Sequence, residues 1–270
     1  GGDYVLSLNA AAAAITDVAG NAFATNLATN WTIDLTAPTA DIVDVTSDPR
    51  RITAGMVTIN FSEPVTGVDI SDFALALDGI AVDISGLSVT QVTTSQYSLN
   101  LASVTETQGV YELTLLAASS SIQDAASNLL VAPAIDFWTM DTTAPIATLT
   151  DFGTTPLDAA TGTVTITFSE SVTGFDLADL SLTRNGSTVS LTGLTLTQSS
   201  STEFSVNLST VAATFGNYEF TVSGSGGIQD LATNELVAAT SVWTVEQVAP
   251  TATISIAGDD YRPTEVGNVS

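Results

Sequence analysis

Four sequence blocks return in the same order at one long period, and this constrains the fold more than any other feature. WTIDLTAPTA (31–40) returns as WTMDTTAPIA (138–147) and as WTVEQVAPTA (243–252), which sets Trp31, Trp138 and Trp243 107 and 105 residues apart. INFSEPVTGVDISDF (59–73) returns as ITFSESVTGFDLADL (166–180). AITDVAGN (14–21), SIQDAASN (121–128) and GIQDLATN (227–234) form a third set. GDYVLSL, GVYELTL and GNYEFTV, starting at Gly2, Gly109 and Gly216, form the fourth. A period of this length exceeds any solenoid repeat and equals one small domain. The spacing predicts complete repeats at 38–144 and 145–249. It makes residues 1–37 the C-terminal part of an earlier repeat and 250–270 the start of a further one. Gly55, Gly162 and Gly267 align across the three openings. The parent protein is therefore expected to be longer than these 270 residues.

Within one repeat the pattern is β. Residues 56–61, 73–77, 96–101 and 110–115 alternate apolar and polar side chains. Thr, Val, Ile and Ser dominate, and turn clusters recur every ~8–12 residues, as in a β-sandwich. About seven strands fit into 38–144: 40–45, 56–61, one from Phe73, one near Ile80, and one each through Tyr97, Tyr111 and Trp138. The fold class expected is all-β, with tandem immunoglobulin-like sandwiches placed end to end. Trp138 and Tyr111 sit on alternating strands; Trp138 reads as core and Tyr111 as core or a corner tyrosine, rather than as ligand platforms. The AAAAA run at 10–14 reads as a strand end passing into a loop, because its counterparts LLAASSS and TVSGSGG have no helical character.

FSEPVTG with its following Asp, I-x-D-x-A-x-N and W-T-x-D-x-x-A-P together resemble the bacterial immunoglobulin-like repeats that build the extender regions of giant surface adhesins. The resemblance covers essentially the whole chain. It implies a structural spacer or stalk segment of a large extracellular, cell-surface protein, in contact with neighbouring repeats of the same chain and often stiffened by calcium. It carries no information on what the parent protein binds.

Charge limits the partners. The chain carries 29 acidic residues against 4 basic ones, all Arg, for a net charge of −25. Such a chain repels nucleic-acid phosphates and anionic membrane surfaces. Yet 44% of its residues are hydrophobic, so it builds cores and is no disordered acidic tail. No stretch is long and apolar enough for a membrane span. Without Cys or His there is no disulfide, thiol nucleophile, imidazole base or ordinary zinc site. Without Lys there is no Lys–Asn isopeptide crosslink.

The acids are not scattered evenly. Glu63, Asp69 and Asp72 follow the strand at 56–61, Asp124 and Asn128 lie between the Tyr111 and Trp138 strands, and Asp34 precedes the strand at 40–45. In an immunoglobulin-like sandwich these three places share one end. Asp34, Glu63, Asp72, Asp124 and Asn128 are thus one candidate ligand set at a repeat junction. Asp141, Glu170, Asp179, Asp230 and Asn234 form the second. Asp69 and Asp176, three residues before the favoured aspartates, rank behind them. Clustered carboxylates with no cation beside them are costly, and a hard ion taking six to eight oxygens answers that cost. Calcium is the cofactor expected. The competing reading is turn chemistry, since Asp and Asn cap loops by bonding nearby backbone. Glu246 at the linker position keeps a carboxylate, whereas Ser127 and Thr233 replace the loop glycine of the first copy.

No enzyme is expected. Paired carboxylates are glycosidase equipment, but a duplicated set on loops without a cleft is a poor candidate. No phosphate loop or nucleophile motif is present. Two other readings share the fold: a subunit of a self-assembling surface layer or filament, with homotypic contacts, and a glycan-binding module. The Thr-rich run 181–203 is the place for glycan or ice contacts, though ordinary strand chemistry accounts for it.

Overall fold

The computed structural model describes residues 1–153, 155–157, 159–224 and 227–246. The expected opening of a further repeat at 250–270 lies outside them. Contacts divide the chain into two compact units. One holds Gly1–Ile146 with Ser169–Phe175 and Gly224–Val237, and the other holds Ala147–Phe168, Asp176–Ser223 and Ala238 onward.

The first unit opens on an antiparallel hairpin of β1 (Gly2–Leu8) and β2 (Leu27–Ile33). A one-turn helix α1 (Ala10–Ala13) lies between them, where a plain loop was expected. Ala has the strongest intrinsic helix preference, and the Ala10 N–H finds an acceptor in Asn26 Oδ1 (2.9 Å), so four alanines suffice for one turn. Then come β3 (Ala40–Ile42), β4 (Met56–Phe61), β5 (Phe73–Leu77), β6 (Ile80–Val82), β7 (Val89–Thr93), β8 (Gln96–Asn100), β9 (Gly109–Leu115) and β10 (Ala134–Met140). They form two antiparallel sheets, ordered β3-β4-β8-β7 and β10-β9-β5-β6. The second unit repeats the plan with β11 (Ala147–Leu149), β12 (Thr163–Phe168), β13 (Leu180–Arg184), β14 (Ser187–Val189), β15 (Leu196–Gln198), β16 (Glu203–Asn207), β17 (Gly216–Val222) and β18 (Ala239–Val245). Its sheets are β11-β12-β16-β15 and β14-β13-β17-β18.

The all-β expectation holds, with one more strand per repeat than the pattern suggested. That strand is β7 in the first repeat and β15 in the second. Four of the five residues of VTQVT in β7 are exposed, so no buried face marks the strand in the sequence.

Alternation sets the core. On β10 the buried residues are Ala134, Asp136, Trp138 and Met140, and the intervening ones face out. In the first unit, the inner faces of both sheets share one hydrophobic cluster, in which Ile59, Leu99, Tyr111, Leu113 and Trp138 are fully buried. Trp138 pairs directly with Tyr111 in the β10–β9 register, and their rings stack at 5.4 Å with planes 8° apart. Trp243 on Tyr218 repeats this at 5.5 Å and 8°, and Trp31 on Tyr4 at 5.7 Å and 10°. Such pairs add ~0.5–1.5 kcal/mol beyond the area they bury.

β10 is an edge strand, and the segment before β4 closes its end. The Arg50 N–H donates to the Thr139 carbonyl (2.9 Å), and the Asp141 N–H donates to the Arg50 carbonyl (2.8 Å). The Arg50 side chain is buried and, among the described residues, has no acid partner. Its Nε donates to the Ile52 carbonyl (2.7 Å), Nη1 to that of Thr46 (2.9 Å) and Nη2 to that of Thr53 (2.8 Å). The rigid fork of a guanidinium suits three carbonyls on one curved segment. In the second unit Leu157 makes the same two backbone bonds, to Thr244 and from Glu246, both at 2.8 Å.

Arg50→Ala is expected to destabilise the first unit by about 2–3 kcal/mol, because three carbonyls lose a charged donor. Arg50→Leu, which copies the second repeat, should cost less. Urea unfolding of both variants measures the difference. A pH effect is expected from Asp136, which accepts the Val45 N–H at 3.0 Å. Burial, followed by the charges of Asp44 and Asp48, raises its carboxyl above 3.8. The folded state therefore holds this proton more tightly than the unfolded state. Ionised Asp136 weakens the fold at neutral pH, and the loss is relieved as pH falls through the raised value towards 3.8. Asp136→Asn should then be the more stable form at pH 7 and lose its advantage at about pH 3–4. Melting across that range tests the sign.

Candidate metal centre

Three local structures build the site. The first is the loop between β9 and β10. Ile122 is fully buried and anchors it, and Asp124 two residues on folds the chain back. Asp124 Oδ1 accepts the N–H of Ala126 and of Asn128, both at 2.8 Å, and Oδ2 accepts Asn128 Nδ2 at 2.7 Å. Asp230 Oδ1 accepts the Asn234 N–H (2.9 Å), and its Oδ2 accepts Asn234 Nδ2 (2.8 Å). Asp17 and Asn21 make the same turn. The glycine of the first copy is Gly20, with φ 85°. Ser127 and Thr233 adopt φ 69° and 71° there, so the loop keeps its shape at the expense of strain. A carboxylate has about four lone-pair directions. Asp124 spends three, which leaves one on Oδ2 for a further ligand.

The second structure is the loop after β4. The Ser62 N–H donates to the Thr39 carbonyl, and the Thr39 N–H donates to Ser62 Oγ, both at 2.9 Å. Ser169 and Ile146 repeat this pair at 2.9 and 3.1 Å. These serines, the S of FSE, fasten the linker to the loop and set the following glutamate beside it. Sequence reasoning passed over them, although their recurrence was visible. Gly67 then lets this loop reach the β9–β10 loop. Its φ is 86°, and a Cβ there would stand 2.6 Å from the Ser121 carbonyl oxygen. Gly174 meets Gly227 in the same way at 2.5 Å.

The third is the linker itself. Asp34 Oδ1 accepts the Thr36 N–H (2.9 Å), and its carbonyl accepts Asn128 Nδ2 (3.3 Å). Asp141 Oδ1 accepts the Thr143 N–H (3.0 Å), and its carbonyl accepts Asn234 Nδ2 (2.9 Å).

The result is two three-carboxylate groups, Asp34–Glu63–Asp124 and Asp141–Glu170–Asp230. In each, one oxygen per residue lies within 4.8 Å of the others. Two oxygens facing each other across a calcium ion at ~2.4 Å are separated by about that distance. Asn128 and Asn234 join these groups with the amide nitrogen inward, as donors to the aspartates and the linker carbonyls. Asp72 and Asp179 do not join them. Asp72 Oδ2 accepts the Asp69 N–H at 2.8 Å, and Asp69 Oδ1 accepts the Ser71 N–H, a capping box on the single 3-10 turn Ile70–Asp72. Asp179 and Asp176 do the same on Leu177–Asp179. The D-x-x-D spacing is itself the capping-box spacing.

Electrostatics differ within each group. The Asn128 side chain, then backbone donors, hold the Asp124 carboxyl below its usual range. Partial burial, then the charges of Asp124 and Asp34, push Glu63 up. Glu170 is pushed up by burial, then by Asp230 and Asp141. No Arg pairs with either group among the described residues. Each is a set of acceptors with repulsion that a cation would remove.

No protein-family model matches the chain, and no curated protein matches it. Solved structures return tandem immunoglobulin domains and a surface-layer protein. Titin domains A168–A170 match at 13% identity and a TM-score of 0.26, covering 78% of this chain and 65% of theirs. Sidekick-1 immunoglobulin domains 1–5 match at 11% and 0.30, covering 78% and 39%. Domains 1–6 of the surface-layer protein SbsC match at 11% and 0.28, covering 78% and 41%. This chain therefore spans less than two thirds of each. At these scores the likeness says nothing of function. No helix among the described residues is long and apolar enough to cross a membrane.

Gly67→Ala is expected to force the two loops of the first group apart and to cost roughly 1–3 kcal/mol from the positive φ alone. Thermal melting and the spread of the Glu63 and Asp124 resonances would register both effects.

Proposed function

We propose that this chain is a non-enzymatic spacer segment of a large extracellular surface protein, with repeats 38–144 and 145–249 as its units and calcium holding each linker to the repeat that follows. One observation supports the reading above the rest. The same three carboxylates, Asp–Glu–Asp, gather twice from a linker and two loops far apart in sequence. Turn chemistry explains why Asp124 bonds Asn128. It does not explain why Glu63 and Asp34 are brought beside that turn, where each raises the cost of the others.

A calcium ion at each group would take Asp34, Glu63 and Asp124, or Asp141, Glu170 and Asp230, with carbonyls and water filling the remaining positions. Asn128 and Asn234 orient those ligands rather than ligate. Asp72 and Asp179 hold the capping turns. The ion replaces repulsion by attraction between the linker and two loops, and so limits how the linker moves. A spacer with this device is stiff only in a calcium-rich medium.

Titration of the chelator-stripped chain with calcium chloride should show two sites. Melting should rise, with a stabilisation of roughly 2.7 kcal/mol per site at a hundredfold excess over the dissociation constant. Glu63→Gln with Asp124→Asn should remove one site, and Glu170→Gln with Asp230→Asn the other. No heat, and identical melting with and without chelator, would leave both groups as ordinary loop chemistry.

A further inference from the structure

The two sandwiches share their inner faces but not their outer ones. On the outer face of the β14-β13-β17-β18 sheet lies an open groove of about 480 Å³, lined chiefly by Thr183, Asn185, Asn217, Glu219, Val242 and Thr244. The equivalent positions of the first sandwich are Ala76, Asp78, Val110, Glu112, Phe137 and Thr139. Three apolar side chains and a carboxylate there give way to a hydroxyl, two amides and a smaller valine. Phe137, half-exposed, carries a ring where Val242 leaves space. Solvation alone needs no such set, because the first sandwich folds without it.

The polar groups are pre-arranged. Asn185 opens the β13–β14 turn at φ 49°, followed by Gly186 at 78°. Its Oδ1 accepts the Asn217 N–H (2.9 Å) and its N–H donates to the Asn217 carbonyl (2.8 Å). Asn217 Oδ1 in turn accepts Thr244 Oγ1 (2.9 Å). Both amide oxygens are thereby occupied, and each side chain keeps its NH2 to offer. The Glu219 carboxylate and the Thr183 hydroxyl add acceptors beside them, and Val242 adds an apolar wall. Amide donors alternating with a carboxylate and hydroxyls match the vicinal hydroxyls of a sugar ring. The volume lies within the range of small-ligand sites. A net charge of −25 disfavours an anionic ligand. An added peptide strand fits poorly, because Leu157 already takes the edge of β18 through Thr244 and Glu246.

The geometry points to a binding site for a neutral saccharide in this groove, built on the second sandwich and absent from the first. The site is independent of the calcium groups. It is tested with the whole chain in chelator, using maltotriose, cellotriose and tri-N-acetylchitotriose as probes in saturation-transfer NMR. At least one should bind saturably with a dissociation constant below ~10 mM, the weak range a few hydrogen bonds support. Asn217→Val and Asn185→Asp, which install the first sandwich's residues, should weaken it by about tenfold or more, or 1.4 kcal/mol and above. Melting should be unchanged, and Glu112→Gln in the first sandwich should have no effect. Absence of saturable transfer from all three sugars overturns the site. So does binding that survives Asn217→Val in a folded variant.

Discussion

The register of β10 against β9 is the constraint on which the rest of the first repeat depends. Tyr111 and Trp138 are directly opposed and stacked with no exposed surface, and a one-residue slip of β10 would turn Trp138 outward and away from Tyr111. That register also decides where the linker acid emerges. Trp138 points in, Thr139 out and Met140 in, and the next residue, Asp141, is the first beyond the strand. The Asp141 N–H then returns to the Arg50 carbonyl, which closes the strand end. The W-T-x-D spacing is thus a ruler from core ring to linker carboxylate, and it recurs from Trp31 to Asp34.

The candidate sites depend on that ruler meeting two loops. Each loop is shaped by its own hydrogen bonds, Asp124 with Asn128 and Ser62 with Thr39. Each pays part of its cost elsewhere: Ser127 and Thr233 sit in left-handed backbone, and Gly67 and Gly174 permit backbone approach that no Cβ tolerates. Bringing three carboxylates together is a further electrostatic cost: burial first, then the neighbouring aspartates, raise the carboxyls of Glu63 and Glu170.

Conserving the inner faces while changing the outer ones is what a β-sandwich allows. Alternation separates the two faces residue by residue, so Ala76 can become Thr183 and Val110 become Asn217 without touching the core. One repeated core can therefore carry different surfaces along a single chain.

The repeat period, the alternating strands and the gathering of Asp34, Glu63 and Asp124 at one end were legible in the amino-acid sequence, because each rests on spacing along the chain. Other features were not. β7 hides no apolar face, so it left no pattern, and the alanines of α1 were overruled by comparison with non-helical counterparts. Asp72 and Asp179 looked like ligands because position alone cannot separate a carboxylate that closes a local turn from one that faces a neighbouring loop. Asn128 looked like an oxygen donor, yet its nitrogen faces the aspartates. Ser62 carried no signal of its own, because its role lies in the bonds it makes with Thr39 across the fold. By itself the sequence determined which residues arrive at the same end of a repeat, since strand length and register are one-dimensional quantities. Only the tertiary structure decided which of their atoms face one another, since that depends on hydrogen bonds and close approaches between segments many residues apart.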